Sequence, residues 1–157
     1  YYLMTKNKYL SLILFLIITF AASAIGGFTT SAYKEPWYSG ITLPSYNPPS
    51  WVFGPVWSAL YILMSIAIWK AWNKTKDKLL LIIYFLHLFF NAIWSVIFFG
   101  FHNIGLALVD LIIILFFIIL LMKIYYKISV TSLYLMVPYL IWTSYAFILN
   151  ISIFLLN

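Results

Sequence analysis

The chain of 157 residues contains no cysteine and no arginine, and only three acidic residues. Without cysteine there is no disulfide framework, no thiolate metal site and no cysteine nucleophile. Without arginine the chain lacks the forked donor that reads guanine and phosphate, which argues against nucleic acid as a partner. Charged residues make up 8% of the sequence and hydrophobic residues 66%, whereas soluble domains carry about 25% charged residues. So few polar groups cannot cover a water-facing surface, and the composition implies an integral membrane protein. The G-x-S-x-G elbow, the H-E-x-x-H helix, a glycine-rich phosphate loop and a close carboxylate pair are also missing. Neither hydrolytic nor metal chemistry is indicated, and His87 and His102 are poorly placed as a metal pair.

Five apolar runs are present, at about 9–33, 51–72, 79–100, 104–126 and 132–156. Each provides the ~20 residues that a helix needs to cross ~30 Å of hydrocarbon. None alternates as a barrel strand would. The expected fold is all-α: a single domain, 1–157, built as a five-transmembrane-helix bundle. The gap at 34–50 is long, and an ordered loop of that length is commonly functional. The other connections are short, as between antiparallel neighbours. Five helices do not divide into two equal inverted halves, which weakens a conventional transporter reading.

The net charge of +6 comes from nine lysines. Lys6 and Lys8, then Lys70, Lys74, Lys76 and Lys78, then Lys123 and Lys127 all fall on one side of a five-crossing chain. The other side holds only Lys34, beside Glu35. The positive-inside rule puts the N-terminus in the cytoplasm and the 34–50 loop and C-terminus outside. The first run is too long for a signal-peptide core, and the A-x-A-like Ala22–Ala24 lies inside it. Tyr1–Leu3 precede Met4, which reads as a natural start.

The chain is organised around Leu43–Tyr61, LPSYNPPSWVFGPVWSALY, the one long stretch rich in both proline and aromatic residues. Pro44, Pro48 and Pro49 favour extended or turn backbone. Ser50 stands where an N-cap would, a helix begins near Trp51, and Pro55 falls in or just after its first turn. Trp57 and Tyr61 share a helix face. A membrane-interface aromatic belt explains such residues equally well.

Within the runs, helix one carries small residues at four-residue spacing: Ala22, Gly26 and Thr30, with Ser23, Gly27 and Ser31 beside them. These suit close helix contact, inside the bundle or along a dimer seam. His87, Asn91, Ser95 and Phe98 line one side of helix three, where the polar members should face the interior. Interhelical hydrogen bonding accounts for them, and a haem-ligand or proton-relay role for His87 is the sharper alternative. Asp110, about two turns from the outer end of helix four, is an intramembrane acid for which a buried hydrogen bond is the favoured explanation. In helix five, Pro138 loosens the first turns, and Trp142 one turn before Ala146 sets a flat wall beside a slot.

The strings PSYNPPSWVFGPVWSALY, LFFNAIWSVIFFG, IGLALVD and PYLIWTSYAFILN, in this order and spacing, resemble the translocator protein family. This is also the tryptophan-rich sensory protein or peripheral benzodiazepine receptor family. The resemblance implies a membrane protein, often dimeric, that binds porphyrins (tetrapyrroles, haem included) and flat aromatic drug-like ligands in a pocket within five helices. No cofactor is implied as a requirement. Carried over, the ligand site comprises Trp57, Tyr61, Asn91, Trp94, Ser95, Trp142 and Ala146, under a lid containing Pro48, Pro49 and Trp51. Members are linked to light- and oxygen-dependent porphyrin breakdown, which the resemblance assigns to Trp57 and Trp142. A small transporter or channel for porphyrin or another hydrophobic metabolite is the alternative, and a structural partner subunit a third reading. Three departures stand out: Leu43-Pro44 and Tyr46 replace a Lys-Pro and its aromatic, His87 replaces a glutamine, and Ile151–Leu156 lacks the Tyr and Arg of the animal cholesterol motif. Sterol binding of the animal type is not expected, and a bacterial cell membrane is.

Overall fold

A computed structural model of the protein describes residues 7–157. Lys6, Met4 and Tyr1–Leu3, used in the topology reading, lie outside them. Five long helices follow one another: α1 (Lys8–Tyr33), α2 (Ser50–Thr75), α3 (Lys78–Ser95), α4 (Ile104–Ile128) and α5 (Val130–Leu156). A π-helical turn, Val96–Gly100, prolongs α3, and a single helical turn, Trp37–Gly40, interrupts the first connection. All five helices are long and apolar enough to cross a membrane.

Polar side chains set the helix starts. Asn7 caps α1 by accepting from the Tyr9 and Leu10 amides, Asp77 caps α3 and Asn103 caps α4. Each satisfies amides that a helix start otherwise leaves unpaired in an apolar medium. The expectation for Ser50 is corrected: it is the first helical residue, and the N-cap is Pro49, which offers no side-chain acceptor. Pro49 sits at φ −58°, ψ 146°, the extended conformation proline favours, so the helix begins at the residue after it. Pro55 lies in the second turn of α2, where its missing N–H leaves the Trp51 carbonyl without the usual partner. The α5 helix runs unbroken through Pro138.

The helices close a ring in the order α1–α2–α5–α4–α3, each packing chiefly on its two ring neighbours. The connections at 76–77, 101–103 and 129 are tight, so successive helices run antiparallel. The described lysines except Lys34 therefore gather at one end of the bundle. That half is solid: Phe15, Met64, Ile68, Trp72, Tyr84, Ile118, Leu121, Tyr125, Met136 and Tyr139 are fully buried against one another. The Lys8 ammonium lies 5.5 Å from the Trp69 ring and that of Lys76 lies 5.4 Å from Trp72, a cationic and aromatic girdle suited to an interface.

Small residues do what helix packing in lipid requires of them. A side chain begun at Gly26 would meet Ser95 Oγ at 3.3 Å. Gly26 therefore brings α1 close to α3 inside the bundle. Gly27, one position on, has open space beside it.

Candidate functional site

The loop half of the bundle is hollow. A cavity of about 400 Å³ lies between all five helices and beneath the first connection, within the ~300–1,000 Å³ typical of small-molecule sites. Eight aromatic side chains line it among small, polar and aliphatic ones. Trp57 stacks on Tyr61 with centroids 5.7 Å apart, Trp94 stacks on Phe98 at 4.8 Å, and Trp142 meets Phe53 edge-on at 5.9 Å. The π turn bears on this wall. Its wider turn, closed by the Phe101 amide donating to the Val96 carbonyl at 2.9 Å, brings both Phe98 and Phe99 to the lining. Such widened turns recur at functional sites.

A chain of hydrogen bonds forms the floor. The Tyr61 hydroxyl donates to Asn91 Oδ1 at 2.9 Å, and Asn91 Nδ2 donates to the Tyr139 hydroxyl at 2.8 Å. The Tyr139 hydroxyl in turn meets His87 Nε2. Because Tyr139 already accepts from Asn91, its single proton is free to go to His87 Nε2, and one direction of donation runs from Tyr61 to His87, whose buried Nδ1 has no hydrogen-bond partner. Buried polar groups paired in this way fix rotamers and close the space beneath them. Another pair, Thr19 with the Tyr84 hydroxyl at 2.6 Å, seals the bundle below.

The roof is the connection at 34–49. Trp37 stacks on His102 at 4.4 Å and meets Phe98 edge-on, while Tyr38 packs on Phe99. Asn157 clips the loop with two bonds to the Thr42 backbone, both 2.9 Å. Tyr46 bonds Ser152 through its hydroxyl and accepts from Tyr145 at its carbonyl. Asn47 donates to the Tyr38 hydroxyl at 3.2 Å. Burial pushes the Tyr38 phenol above its ordinary pKa, with the Asn47 bond opposing and the Glu35 charge adding to the rise. Tyr38 is therefore a neutral group at the cavity mouth.

Of the residues singled out in the sequence, Trp57, Tyr61, Asn91, Trp94, Ser95, Trp142 and Ala146 all reach the cavity lining. Pro48, Pro49 and Trp51 do not. Trp51 is 74% exposed on the outside of α2. The reason is angular: six residues at about 100° each place Trp51 about 120° around the helix from Trp57. His87 is fully buried beneath the floor and spent on Tyr139, away from the cavity. Asp110 is buried at 4% exposure, yet its Oδ2 has no hydrogen-bond partner, so the expected interhelical bond is not made through that oxygen. Among the described residues, no three His, Asp or Glu side chains converge as metal ligands would.

Sequence reasoning missed several lining residues. Ser23, Gly26, Gly27 and Thr30 of α1 were legible as a small-residue face, but not as a cavity wall. Phe53 and Thr143 each lie one turn from a residue that was identified, Trp57 and Ala146 respectively. Asn150 is the acceptor for Trp94 Nε1 at 3.1 Å and donates to the Ile104 carbonyl, tying α3, α4 and α5 together. Lys34, Tyr38 and Asn47 carried no local signal for the mouth. Trp142 and Thr143 line the cavity, but Trp142 Nε1 and Thr143 Oγ1 are themselves fully buried and have no hydrogen-bond partner in the protein.

The model of the TspO/MBR family matches residues 14–156. The chain is 37% identical over 150 residues to the Tryptophan-rich protein TspO of Archaeoglobus fulgidus, an overlap of 94% of this chain and 97% of that one. It is 34% identical to the protein of the same name from Chlorobaculum tepidum, over 97% and 99% of the two chains. It is 36% identical to the Translocator protein of Homo sapiens, over 82% of each. A match across nearly the whole chain, together with five apolar helices around an aromatic cavity, establishes that this multi-pass membrane protein belongs to the TspO/MBR family.

Proposed function

We propose that the protein is a membrane-embedded binding and sensing protein for porphyrins and similar flat aromatic ligands, which occupy the cavity between the floor and the first connection. The observation that carries this reading is the cavity wall itself. Indole and phenyl faces on α2, α3 and α5 offer a planar π-system both stacking and edge contacts. The floor and the solid half below it favour a blind pocket over a path, which leaves the transporter or channel reading with less support.

The test is a titration of the purified protein with protoporphyrin in the dark, followed by tryptophan quenching. Replacing Trp57 and Trp142 together by Phe should weaken saturable binding by about tenfold, because two wall contacts of about 0.5–1.5 kcal/mol each are lost. Trp69→Phe, at the lysine end, should bind as the wild type does. Equal, unsaturable quenching in all three proteins would mean partition into detergent and would refute the site. Illuminating the same samples in air then asks whether bound porphyrin is consumed faster than free porphyrin. Equal rates would assign the protein to binding alone.

A further inference from the structure

Among the described residues Lys34 is the one lysine of the loop half, and its surroundings are unusual for a lysine in a membrane protein. Its backbone closes α1, with its amide donating to the Thr30 carbonyl at 3.0 Å. Its side chain leaves α1 and crosses towards the start of α2. The ammonium donates to Ser50 Oγ at 3.3 Å and stands 4.7 Å from the Tyr38 ring centre. Both partners are neutral, and among the described residues no carboxylate pairs with it. The adjacent Glu35 is spent elsewhere: its carboxylate accepts from the Ser39 amide and hydroxyl. An ammonium has three donors, and Ser50 takes only one.

Lys34, Tyr38, Asn47 and Ser50 all belong to the cavity lining, so the charge stands at the mouth of a chamber that is otherwise uncharged and rich in aromatic rings. The first turn of α2 begins at the same place under Pro49, which supplies no capping side chain. The positive end of that helix dipole adds to the potential beside the ammonium. A lysine at a helix C-terminus also interacts favourably with the last carbonyls, and that local role alone would need no ligand. It does not explain why the side chain spans the mouth instead of remaining over α1.

We infer that Lys34 makes the mouth an anion subsite, which holds a carboxylate of a bound planar aromatic acid while its ring system lies between the tryptophans. This rests on the cavity being a ligand site and specifies the ligand class: flat aromatic acids in preference to their neutral counterparts. It also fixes orientation, with the acidic edge towards the loop and the apolar edge towards the Tyr61–Asn91 floor. A charge-assisted bond at a half-buried site is among the stronger polar contacts available.

The experiment compares protoporphyrin with its dimethyl ester, which has the same ring and no charge, on the full chain in detergent in the dark. The wild type should bind the acid about tenfold more tightly than the ester, a preference that shrinks as salt is raised. Lys34→Met should bring the acid to the affinity of the ester and leave the ester unchanged, and Lys34→Arg should keep most of the preference. Lys34→Gln serves as a second neutral variant if the Met protein does not fold. Equal affinity of the wild type for acid and ester would overturn the subsite while leaving the ligand cavity standing. So would a loss of both ligands alike in the neutral variants, which is the signature of a helix-end role. Saturable binding of neither compound would overturn the cavity reading and the subsite with it.

Discussion

Ala146→Phe should weaken protoporphyrin binding by about tenfold to a hundredfold and leave the fold intact. Ala146 lies one turn from Trp142 on α5, half-buried and on the cavity lining. A phenyl group there has empty space to enter, so the protein need not rearrange to hold it. The same ring would occupy the volume that a planar ligand needs beside Trp142. Overpacking a filled site costs about 1–3 kcal/mol, and about 1.4 kcal/mol is a factor of ten in affinity. The measurement is a dark titration paired with thermal unfolding in the same detergent. Undiminished affinity would mean that the ligand does not use the slot between Trp142 and the floor.

Tyr139→Phe should destabilise the protein by about 2–4 kcal/mol, whereas Tyr125→Phe should be close to neutral. Both tyrosines are fully buried, and both substitutions remove one hydroxyl. Their surroundings differ. The Tyr139 hydroxyl holds Asn91 on one side and His87 on the other, and its removal leaves two buried polar groups unpaired. The Tyr125 hydroxyl has no hydrogen-bond partner, so removing it relieves an unmet group. In a chain of this size the first change should lower the Tm by about 5–15 °C. Equal shifts for the two variants would show that the floor is held by packing and that the hydrogen-bond chain adds nothing. Because Asn91 and Tyr61 are also cavity residues, Tyr139→Phe should weaken ligand binding too, through loss of positioning.

The five crossings were legible in the sequence because long apolar runs ended by lysine or proline leave a chain in lipid no other way to satisfy its backbone. Each expected run is covered, the one at 79–100 by α3 together with the π turn, since α3 itself ends five residues earlier at Ser95, and the other ends differ by three residues or fewer. The wall residues Trp57, Asn91, Trp94, Trp142 and Ala146 came from resemblance more than from physics. A helix that is apolar on every side does not announce which face looks inward. The polar stripe on α3 was an exception, since Asn91 and Ser95 had to avoid lipid, and both line the cavity. The ring order of the helices was not legible, because neighbours in space are set by contacts far apart in sequence. For the same reason the Trp37–His102 stack and the position of Lys34 at the mouth were hidden. Trp51 was placed in the lid by the resemblance, and helical geometry turns it outwards, 74% exposed. For His87 interhelical hydrogen bonding was the expected role and a ligand role the alternative, but its partner, Tyr139, is 52 residues away and could not be named from the sequence.

The lack of native cysteine makes the most direct test clean. A single cysteine is placed at Ala146, inside the cavity, and in a second protein at Ser31, on the exposed end of α1. The alkylation rate of each by a small maleimide is measured in the dark with and without saturating protoporphyrin. The ligand should slow alkylation of Ala146→Cys severalfold and leave Ser31→Cys unchanged, because it fills the space through which the reagent must pass. Equal rates at Ala146→Cys with and without porphyrin would contradict the central claim that the flat ligand sits between the tryptophans above the Tyr61–Asn91–Tyr139 floor.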